Sequence, residues 1–294
     1  MKILISDAFG PGFEEKLQIF GDVTTDREQL SKAEVVLIRS KTKCTREYID
    51  NAPNLRLIIR GGVGIDNIDT KYAASRNISV NNTPQASSIA VAELTFALML
   101  AIPSRIIEGH QSMGEGKWKK KQLKRTELFG KTLCLIGMGN IAVEVAKRAK
   151  SFGMKVVAYR QSGKPSQFAE VKSTIKEAVK DADFVSLHTP LTDSTRGMMN
   201  KDVFAVMKKN AVIINTGRGD CVDADDMAAA LQNGDLKAYG TDVWPSDPPP
   251  ENYPLLKAPN VLMLPHLGAS SVENLGRIEE EIISILKNHV GVEV

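Results

Sequence analysis

The sequence predicts an α/β protein with two doubly wound parallel sheets, and three observations support this prediction. Short apolar runs, bounded by polar or glycine-containing turns, recur along the chain and are separated by segments long enough for crossover helices. The chain has 294 residues, 43% of them hydrophobic, a size more typical of two domains than of one. A glycine-rich turn directly after one apolar run marks a second α/β series. The predicted strands are Lys2–Asp7, Glu34–Ile38, Arg56–Ile59 and Ile78–Val80 in the first series, and Lys131–Gly137, Lys155–Tyr159, Phe184–Leu187, Ala211–Asn215, Ala238–Asp242 and Val261–Leu264 in the second.

Two helices are predicted to connect these series. Ser88–Pro103 is rich in alanine and leucine, with serines suited to cap its start and a proline expected to stop it. Ser271–His289 has helical apolar spacing, and we expect it to run back toward the first domain. The second domain would then be an insertion. The expected domains are residues 1–94 with 273–294, a flavodoxin-like unit, and residues 95–272.

Composition excludes several classes of function. A net charge of +3 is too small to suggest nucleic-acid binding. The longest apolar stretch, Ile89–Pro103, is shorter than the roughly 20 residues that cross a bilayer. No signal-peptide pattern is present, so we expect a cytoplasmic protein without membrane contact. Cys44, Cys134 and Cys221 match no metal-ligand spacing and are expected to be reduced, packed thiols.

The segment Gly137–Ala142 predicts a dinucleotide site. It follows an apolar strand and opens a helical stretch, Val143–Phe152, the context that gives such a glycine motif its meaning. Glycines permit a tight turn and let backbone N–H groups approach a pyrophosphate at the helix N-terminus. We therefore expect a Rossmann-like domain. The residues expected to contact the cofactor here are Gly137, Gly139, Asn140 and Ile141.

The end of the next strand bears on which nicotinamide cofactor binds. An acidic residue is expected there, about 20 residues on, to accept bonds from the ribose hydroxyls. This chain instead has Arg160, with Ser162 as a further donor, where a 2′-phosphate would sit. NADP(H) is therefore weakly favoured over NAD(H). Alternatively, Arg160 stacks on adenine or points into water while NAD(H) binds.

Two basic side chains are candidates for chemistry on an alcohol carbon. Hydride removal needs a base for the hydroxyl proton and a cation for the developing oxyanion and the carboxylate. Arg218 and His266 each follow a predicted strand end, at the edge where doubly wound sheets bind ligands.

At these residues the chain resembles the D-isomer-specific 2-hydroxyacid dehydrogenase family, most nearly its members that oxidise 3-phosphoglycerate. The resemblance covers nearly the whole chain and rests on an ordered set of blocks. These are Ile38–Thr42, Arg60–Asn67, Asn82–Pro84, Ala92–Thr95, Gly137–Ala142, Asn215–Asp220, Gly240–Pro248 and Leu264–Ala269.

The resemblance implies a role for each catalytic candidate. Arg218 would hold the substrate's carboxylate and 2-oxygen, and His266 would exchange the proton. Asp247 stands where the family has a glutamate that hydrogen-bonds the histidine and favours its protonated form. Its side chain is one methylene shorter, so the strength of this pair is open. Asp242 matches an acidic ligand near the nicotinamide ribose and amide.

The resemblance also implies contacts to cofactor and substrate. Arg39 and Ser40 match positions facing the far end of the substrate, where a phosphate would need a guanidinium. Residues 61–64 can expose consecutive N–H groups as a nest for a carboxylate. The further cofactor residues are Val63, Thr189, Pro190, Thr216, Gly217, Arg218, Asp242, His266 and Gly268, and the further substrate residues are Gly62, Val63 and Gly64; no metal is expected.

The expected reaction is NAD(P)-dependent oxidation of 3-phosphoglycerate to 3-phosphohydroxypyruvate, in a cleft between two domains that close on the substrate. Reduction of glyoxylate or hydroxypyruvate is the nearer alternative, and a non-catalytic dinucleotide sensor the more distant one. Lys119–Lys121 matches a basic run near the partner's active site, or is a solvated basic face, and a homodimer is expected. Because the sequence ends soon after the last helix, we expect no appended regulatory domain.

Overall fold

The computed structural model describes residues 1–291 and divides the chain into two compact units. Unit 1 contains Met1–Ala90 and the segment from Ala269 onward, and unit 2 contains Val91–Gly268. The second unit is thus an insertion in the sequence of the first. Both boundaries lie a few residues before those expected from the sequence.

The sheet of unit 1 has the strand order β2-β1-β3-β4-β5, with every neighbouring pair parallel. One face packs against α10, whose Ile278, Ile282 and Leu286 join a buried cluster with residues of β1. The elements are β1 Lys2–Ile5, α1 Phe13–Leu17, β2 Asp22–Thr24, β3 Val35–Ile38, α2 Arg46–Asp50, β4 Leu57–Arg60, α3 Thr70–Ser75, β5 Ser79–Asn82 and α10 Val272–Val290, with 3-10 turns at Gln18–Phe20 and Arg27–Lys32.

The sheet of unit 2 has the strand order β12-β11-β10-β9-β6-β7-β8, again parallel throughout. The order reverses between β6 and β9, which is where doubly wound sheets bind ligands. The elements are α4 Ser88–Ser104, α5 Ile106–Gly114, β6 Thr132–Ile136, α6 Asn140–Ser151, β7 Lys155–Tyr159, β8 Glu170–Lys172, α7 Ile175–Val179, β9 Phe184–Leu187, α8 Lys201–Phe204, β10 Val212–Asn215, α9 Ala224–Gln232, β11 Ala238–Thr241 and β12 Val261–Met263, with 3-10 turns at Gly219–Cys221 and Pro254–Leu256.

The predicted fold class is confirmed, and the differences are local. Strands β2 and β8 were not predicted, because they are three-residue edge strands with exposed or half-exposed side chains and form no apolar run. The prediction that Pro103 stops α4 is wrong. The helix includes Pro103 and ends at Ser104, where the left-handed backbone of Arg105, with φ of 55°, breaks it.

Helix α10 begins as predicted and is anchored within unit 1. Ser271 caps it by accepting the N–H of Asn274 at 3.2 Å. The Asn274 side chain donates to Ser87 Oγ at 3.2 Å and to the Ala269 carbonyl at 2.9 Å. Arg277 Nε donates to the Ala86 carbonyl at 3.0 Å. The helix therefore fixes both chain segments that lead into unit 2.

Within residues 1–291, no single helix is both long and apolar enough to cross a bilayer. The helices Ser88–Ser104 and Ile106–Gly114 meet that criterion only when taken together, across a bend of 62°.

Candidate active site

The predicted site residues of unit 2 follow the carboxyl ends of neighbouring parallel strands. Because these ends lie at one edge of a parallel sheet, residues far apart in sequence share that edge. Arg218 follows β10, Asp242 follows β11 and His266 follows β12. On the other side of the order reversal, Gly137 follows β6, Arg160 follows β7, and Thr189 and Pro190 follow β9.

The glycine turn after β6 has the geometry that a dinucleotide requires. Gly137 has φ of 96°, and a Cβ there would lie 2.5 Å from the backbone oxygen of His188, so only glycine fits. Gly139 is the N-cap of α6, and a Cβ added there would meet no atom within 4 Å. The space in front of this helix N-terminus is therefore open to an anionic ligand. Ala142, fully buried, packs the helix close to the sheet, and Asn140 and Ile141 form the first turn of α6.

A cavity of about 360 Å³ lies beside this turn. Arg160 and Ser162 both line it, and their predicted contact with the adenine-side ribose or its 2′-phosphate stays a prediction. The glycine turn and this cavity together fit a dinucleotide. Its lining includes Gly137, Gly139, Tyr159, Arg160, Ser162, Thr189 and Pro190.

The turn after β10 presents Arg218 from a buried base. The half-buried Arg218 donates from Nη1 to the carbonyl of Gly217 at 2.7 Å. Thr216, which was predicted to contact the cofactor, is buried, and its hydroxyl lies 2.9 Å from that of Thr95. Gly217 is needed for close packing, because a Cβ there would lie 3.1 Å from the Leu187 carbonyl. Because of its contact with Thr95, the Thr216 side chain is hydrogen-bonded inside unit 2.

His266 and Asp247 form the hydrogen-bonded pair that the sequence left open. His266 Nδ1 lies 2.6 Å from Asp247 Oδ2, so the aspartate is long enough to reach the ring. Both side chains are partly exposed, 34% for His266 and 45% for Asp247, so a substrate can reach them. With Nδ1 engaged, Nε2 is the ring atom left to exchange a proton.

Asp242 has a role that the sequence did not predict. Its buried carboxylate accepts the N–H of Leu267 and the N–H of Gly268, both at 2.7 Å. Burial raises the pKa of Asp242, and these two hydrogen bonds oppose the rise. His266, just before them, has a left-handed backbone with φ of 58°, which costs about 1–2 kcal/mol for a non-glycine residue. Asp242 therefore stabilises the strained segment that carries the histidine. A Cβ at Gly268 would crowd this carboxylate at 3.1 Å.

In unit 1, Arg39 stands on a loop held by buried polar groups. Its N–H donates to Asp7 Oδ2 at 2.6 Å, and its Nη2 donates to the Ala269 carbonyl at 3.2 Å. Arg39 Nε is buried and has no hydrogen-bond partner within residues 1–291. Burial lowers the pKa of Arg39, while Asp7 raises it. Ser40 next to it is exposed.

The glycine segment after β4 is partly engaged in unit 1 itself. Gly61 N–H donates to the Ile38 carbonyl at 2.8 Å, and the carbonyls of Gly62 and Val63 accept bonds from Thr83 N–H and Asn82 Nδ2. Gly62 has φ of 145°, a conformation that favours glycine. The nest formed by the N–H groups of Gly62, Val63 and Gly64 stays a prediction.

The remaining candidates differ in exposure. Burial lowers the pKa of His188 to about 3, and its Nε2 lies 2.9 Å from Ser186 Oγ, so it serves packing rather than proton exchange. The three cysteines are buried and free. Lys120 and Lys121 are exposed, as is Trp118 at 75%. Among residues 1–291, no group of three or more His, Cys, Asp or Glu is placed to hold a metal.

Comparison with known families identifies this arrangement. The model of the D-isomer specific 2-hydroxyacid dehydrogenase NAD binding domain matches residues 96–268. The chain belongs to the D-isomer specific 2-hydroxyacid dehydrogenase family. Unit 2, which holds the glycine turn, is thus the NAD-binding domain of a family dehydrogenase.

Relatives with assigned activities fall into two groups. D-3-phosphoglycerate dehydrogenase of Methanocaldococcus jannaschii is 42% identical over 285 residues, which cover 93% of this chain and 54% of that protein. Hydroxypyruvate reductase of Thermotoga maritima is 40% identical over 289 residues, which cover 95% of this chain and 93% of that protein. The chain therefore spans about half the length of the first relative and nearly all of the second.

A solved structure with a similar fold contains NADP. The NADPH-dependent glyoxylate/hydroxypyruvate reductase of Sinorhizobium meliloti, in complex with NADP and malonate, has a TM-score of 0.86 and 27% identity. The match covers 97% of this chain and 92% of that one. A fold similar to that of this chain thus holds NADP in that reductase.

Proposed function

We propose that this family member is an NAD(P)-dependent oxidoreductase that interconverts a D-2-hydroxy acid and its 2-oxo acid, with 3-phosphoglycerate as its substrate. The observation that carries the proposal is the 2.6 Å contact between His266 and Asp247, at the same sheet edge as Arg218. This edge unites a proton-exchanging ring with a fixed cation, which is what the chemistry requires.

Each side chain has a defined part in the reaction. Gly137 and Gly139 would hold the pyrophosphate of a nicotinamide dinucleotide, which would supply or accept the hydride. Arg218 binds the carboxylate and the 2-oxygen of the substrate and offsets the negative charge that develops there. His266 gives a proton from Nε2 during reduction and takes one during oxidation. Asp247 holds the ring by Nδ1, and Asp242 holds the backbone that carries it.

The choice of a phosphorylated substrate rests on Arg39. The Arg39 side chain is half-buried, and a planar guanidinium suits a phosphate because it can pair two oxygens at once. Ser40 adds a hydroxyl, and Gly62–Gly64 offers backbone N–H groups to the carboxylate end. The relative from Methanocaldococcus jannaschii supports this reading. The proposed reaction would be the oxidative step of serine biosynthesis.

A second candidate function is the reduction of hydroxypyruvate or glyoxylate. It is favoured by the Thermotoga maritima relative, which this chain matches over nearly its whole length. The same His266, Asp247 and Arg218 would serve it, and no phosphate pocket would be needed.

Replacing Arg39 with alanine distinguishes these two functions. We expect kcat/KM for 3-phosphohydroxypyruvate to fall by about tenfold to a hundredfold, because a charge-assisted contact to phosphate is lost. With hydroxypyruvate the loss should stay below about threefold. Steady-state rates with both substrates and with glyoxylate give the answer. Arg46→Ala, which removes an exposed guanidinium paired with Asp69, is the matched control. A wild type that prefers hydroxypyruvate, with equal losses for both substrates in Arg39→Ala, assigns the chain to the second function.

Cofactor choice is the second test, and we infer that NADP(H) is preferred. In Arg160→Ala we expect kcat/KM for NADPH to fall by about tenfold while the value for NADH changes by less than about twofold, because only NADPH carries the 2′-phosphate. Lys155→Ala removes a cation at the opposite end of the same strand and should change neither value. A wild type with a tenfold preference for NADH would contradict the inference.

The remaining parts of the proposal concern assembly and location. We infer a homodimer in which the basic run Lys119–Lys121 completes the phosphate pocket of the partner subunit. The exposure of Lys120, Lys121 and Trp118 is compatible with this. The substrate class is that of central metabolism, so we expect a cytoplasmic enzyme that acts on small molecules rather than on nucleic acid or membranes.

A further inference from the structure

We propose that Asn215 and Tyr239 act as a positioning pair for Arg218, although neither is expected to touch substrate or cofactor. They shape the Arg218 turn, which is the segment of residues 215–218 after β10. The proposal rests on the role proposed above for Arg218, because positioning matters only if the guanidinium binds the reacting acid. The two residues lie 24 positions apart in sequence and meet in the core of unit 2.

Asn215 closes the Arg218 turn with both ends of its amide. The residue is fully buried at the end of β10. Its Oδ1 accepts the N–H of Gly217 at 3.0 Å, the arrangement in which an asparagine bonds its own backbone two residues on. Its Nδ2 donates to the carbonyl of Arg218 at 2.9 Å. One side chain thus fixes the backbone on both sides of the turn.

Tyr239 accepts the remaining hydrogen of that amide. Asn215 Nδ2 has a second hydrogen, which it donates to Tyr239 Oη at 3.1 Å. Tyr239 lies on β11 opposite Ile213 of β10, so its ring sits two residues before Asn215 in the register. Its side chain is 1% exposed, and burial raises the pKa of Tyr239, so the phenol stays neutral. A reversed amide would point its N–H groups at the N–H of Gly217 and its oxygen at the carbonyl of Arg218, so these two contacts set its direction.

A second anchor holds the same turn from α4. Thr95 donates its hydroxyl to the Val91 carbonyl at 2.8 Å, so the hydrogen in its 2.9 Å contact with Thr216 comes from Thr216. The side chains of Asn215 and Thr216 are therefore both directed into unit 2. Arg218 is the member of the turn that presents a charged group at the sheet edge, from a backbone that buried hydrogen bonds hold in place.

Replacing Tyr239 with phenylalanine tests the pair with almost no change in volume. The variant leaves a buried Asn215 N–H without its acceptor. We expect kcat/KM for the 2-oxo acid to fall by about threefold to tenfold, the effect of one lost buried hydrogen bond, while the Kd of NAD(P)H measured by fluorescence stays within about twofold. Amide hydrogen exchange of the peptide covering residues 212–222 should become faster, and this measurement needs no turnover.

Controls separate positioning from general destabilisation. Tyr72→Phe removes a hydroxyl hydrogen-bonded to Asp50 in unit 1 and should change neither kcat/KM nor exchange at residues 212–222. In an Arg218→Lys background, Tyr239→Phe should cause little further loss, because the group it positions is already altered. If Tyr239→Phe expresses poorly, Asn215→Asp replaces it, since aspartate keeps the acceptor for Gly217 and loses the donors to the Arg218 carbonyl and to Tyr239.

Three outcomes would overturn the pair or the function separately. Wild-type activity and exchange in Tyr239→Phe would refute the pair and leave the proposed function intact. The pair would also be refuted if Tyr239→Phe lowered kcat/KM as much in the Arg218→Lys background as in the wild type, since Tyr239 would then act elsewhere. A wild type that turns over none of the 2-oxo acids refutes the proposed function, and the exchange measurement still decides whether Asn215 and Tyr239 hold the turn.

Discussion

Replacing His266 with glutamine is expected to lower kcat/KM for the 2-oxo acid by about a hundredfold to ten-thousandfold, the range attributed to a positioned general acid. Glutamine keeps a polar side chain but cannot deliver a proton. Because His266 Nδ1 is engaged by Asp247, the loss removes the one ring nitrogen that is left to face the substrate. Cofactor affinity should change little, which a fluorescence titration with NAD(P)H would establish.

His110 provides the matched control for this variant. It lies exposed on α5, so His110→Gln removes an imidazole without disturbing the sheet edge of unit 2. The kcat/KM values of His266→Gln and His110→Gln, measured by steady-state kinetics, should differ by at least about a hundredfold. If His266→Gln retained wild-type kcat/KM, His266 would not be the proton donor, and the proposed mechanism would be wrong.

Replacing Arg218 with alanine should have the second large effect. We expect kcat/KM for the 2-oxo acid to fall by about a hundredfold to a thousandfold, as when one preorganised donor to a developing oxyanion is removed. Both kcat and KM should worsen, because the guanidinium is proposed to bind the carboxylate in the ground state and the 2-oxygen in the transition state. Added guanidinium ion should restore part of the lost rate.

Arg196→Ala is the control for charge and size. Arg196 forms an exposed ion pair with Asp220, two residues after Arg218, and its loss should lower kcat/KM by less than about threefold. Together, wild-type turnover and its loss in Arg218→Ala and His266→Gln would exclude the non-catalytic dinucleotide sensor. Unchanged kcat/KM in Arg218→Ala would show that another cation holds the acid.

The sequence predicted most of the fold because buried parallel strands form near-continuous apolar runs. Strands β6 and β10, with Thr132–Ile136 and Val212–Asn215, follow this rule and were located to within a residue. Strands β2 and β8 were missed, since a short edge strand such as Asp22–Thr24 buries too little to need apolar residues. The end of α4 was misplaced because a left-handed Arg105, rather than Pro103, breaks the helix.

The site was predictable where chemistry leaves a local pattern. The glycines of the turn after β6 indicate that the backbone there can approach a pyrophosphate closely. Arg218 and His266 each follow a strand end. Contacts that depend on register between strands were not predictable. The bond from Asn215 to Tyr239 requires Ile213 to pair with Tyr239, and that register cannot be read from a single sequence.

The role of Asp242 illustrates the same limit. The sequence identified a carboxylate after a strand and assigned it to the cofactor, while its described partners are the backbone N–H groups of Leu267 and Gly268. These residues lie 25 and 26 positions further along the chain, after the next strand. The contact of Asp242 with the nicotinamide stays a prediction. It would be additional to the hydrogen bonds by which Asp242 positions the segment that carries His266.

Transfer of deuterium from the cofactor is a direct test of hydride transfer to C2 of the substrate. Reduction of 3-phosphohydroxypyruvate, hydroxypyruvate and glyoxylate is followed with a cofactor deuterated at nicotinamide C4, in the hydrogen that the enzyme transfers, and the products are analysed by mass spectrometry. We expect one deuterium at C2 of the product, in the D configuration where C2 is a stereocentre. The rate of incorporation should fall sharply in both Arg218→Ala and His266→Gln. Products without deuterium at C2, or labelling by the two variants as fast as by the wild type, would contradict the proposed mechanism.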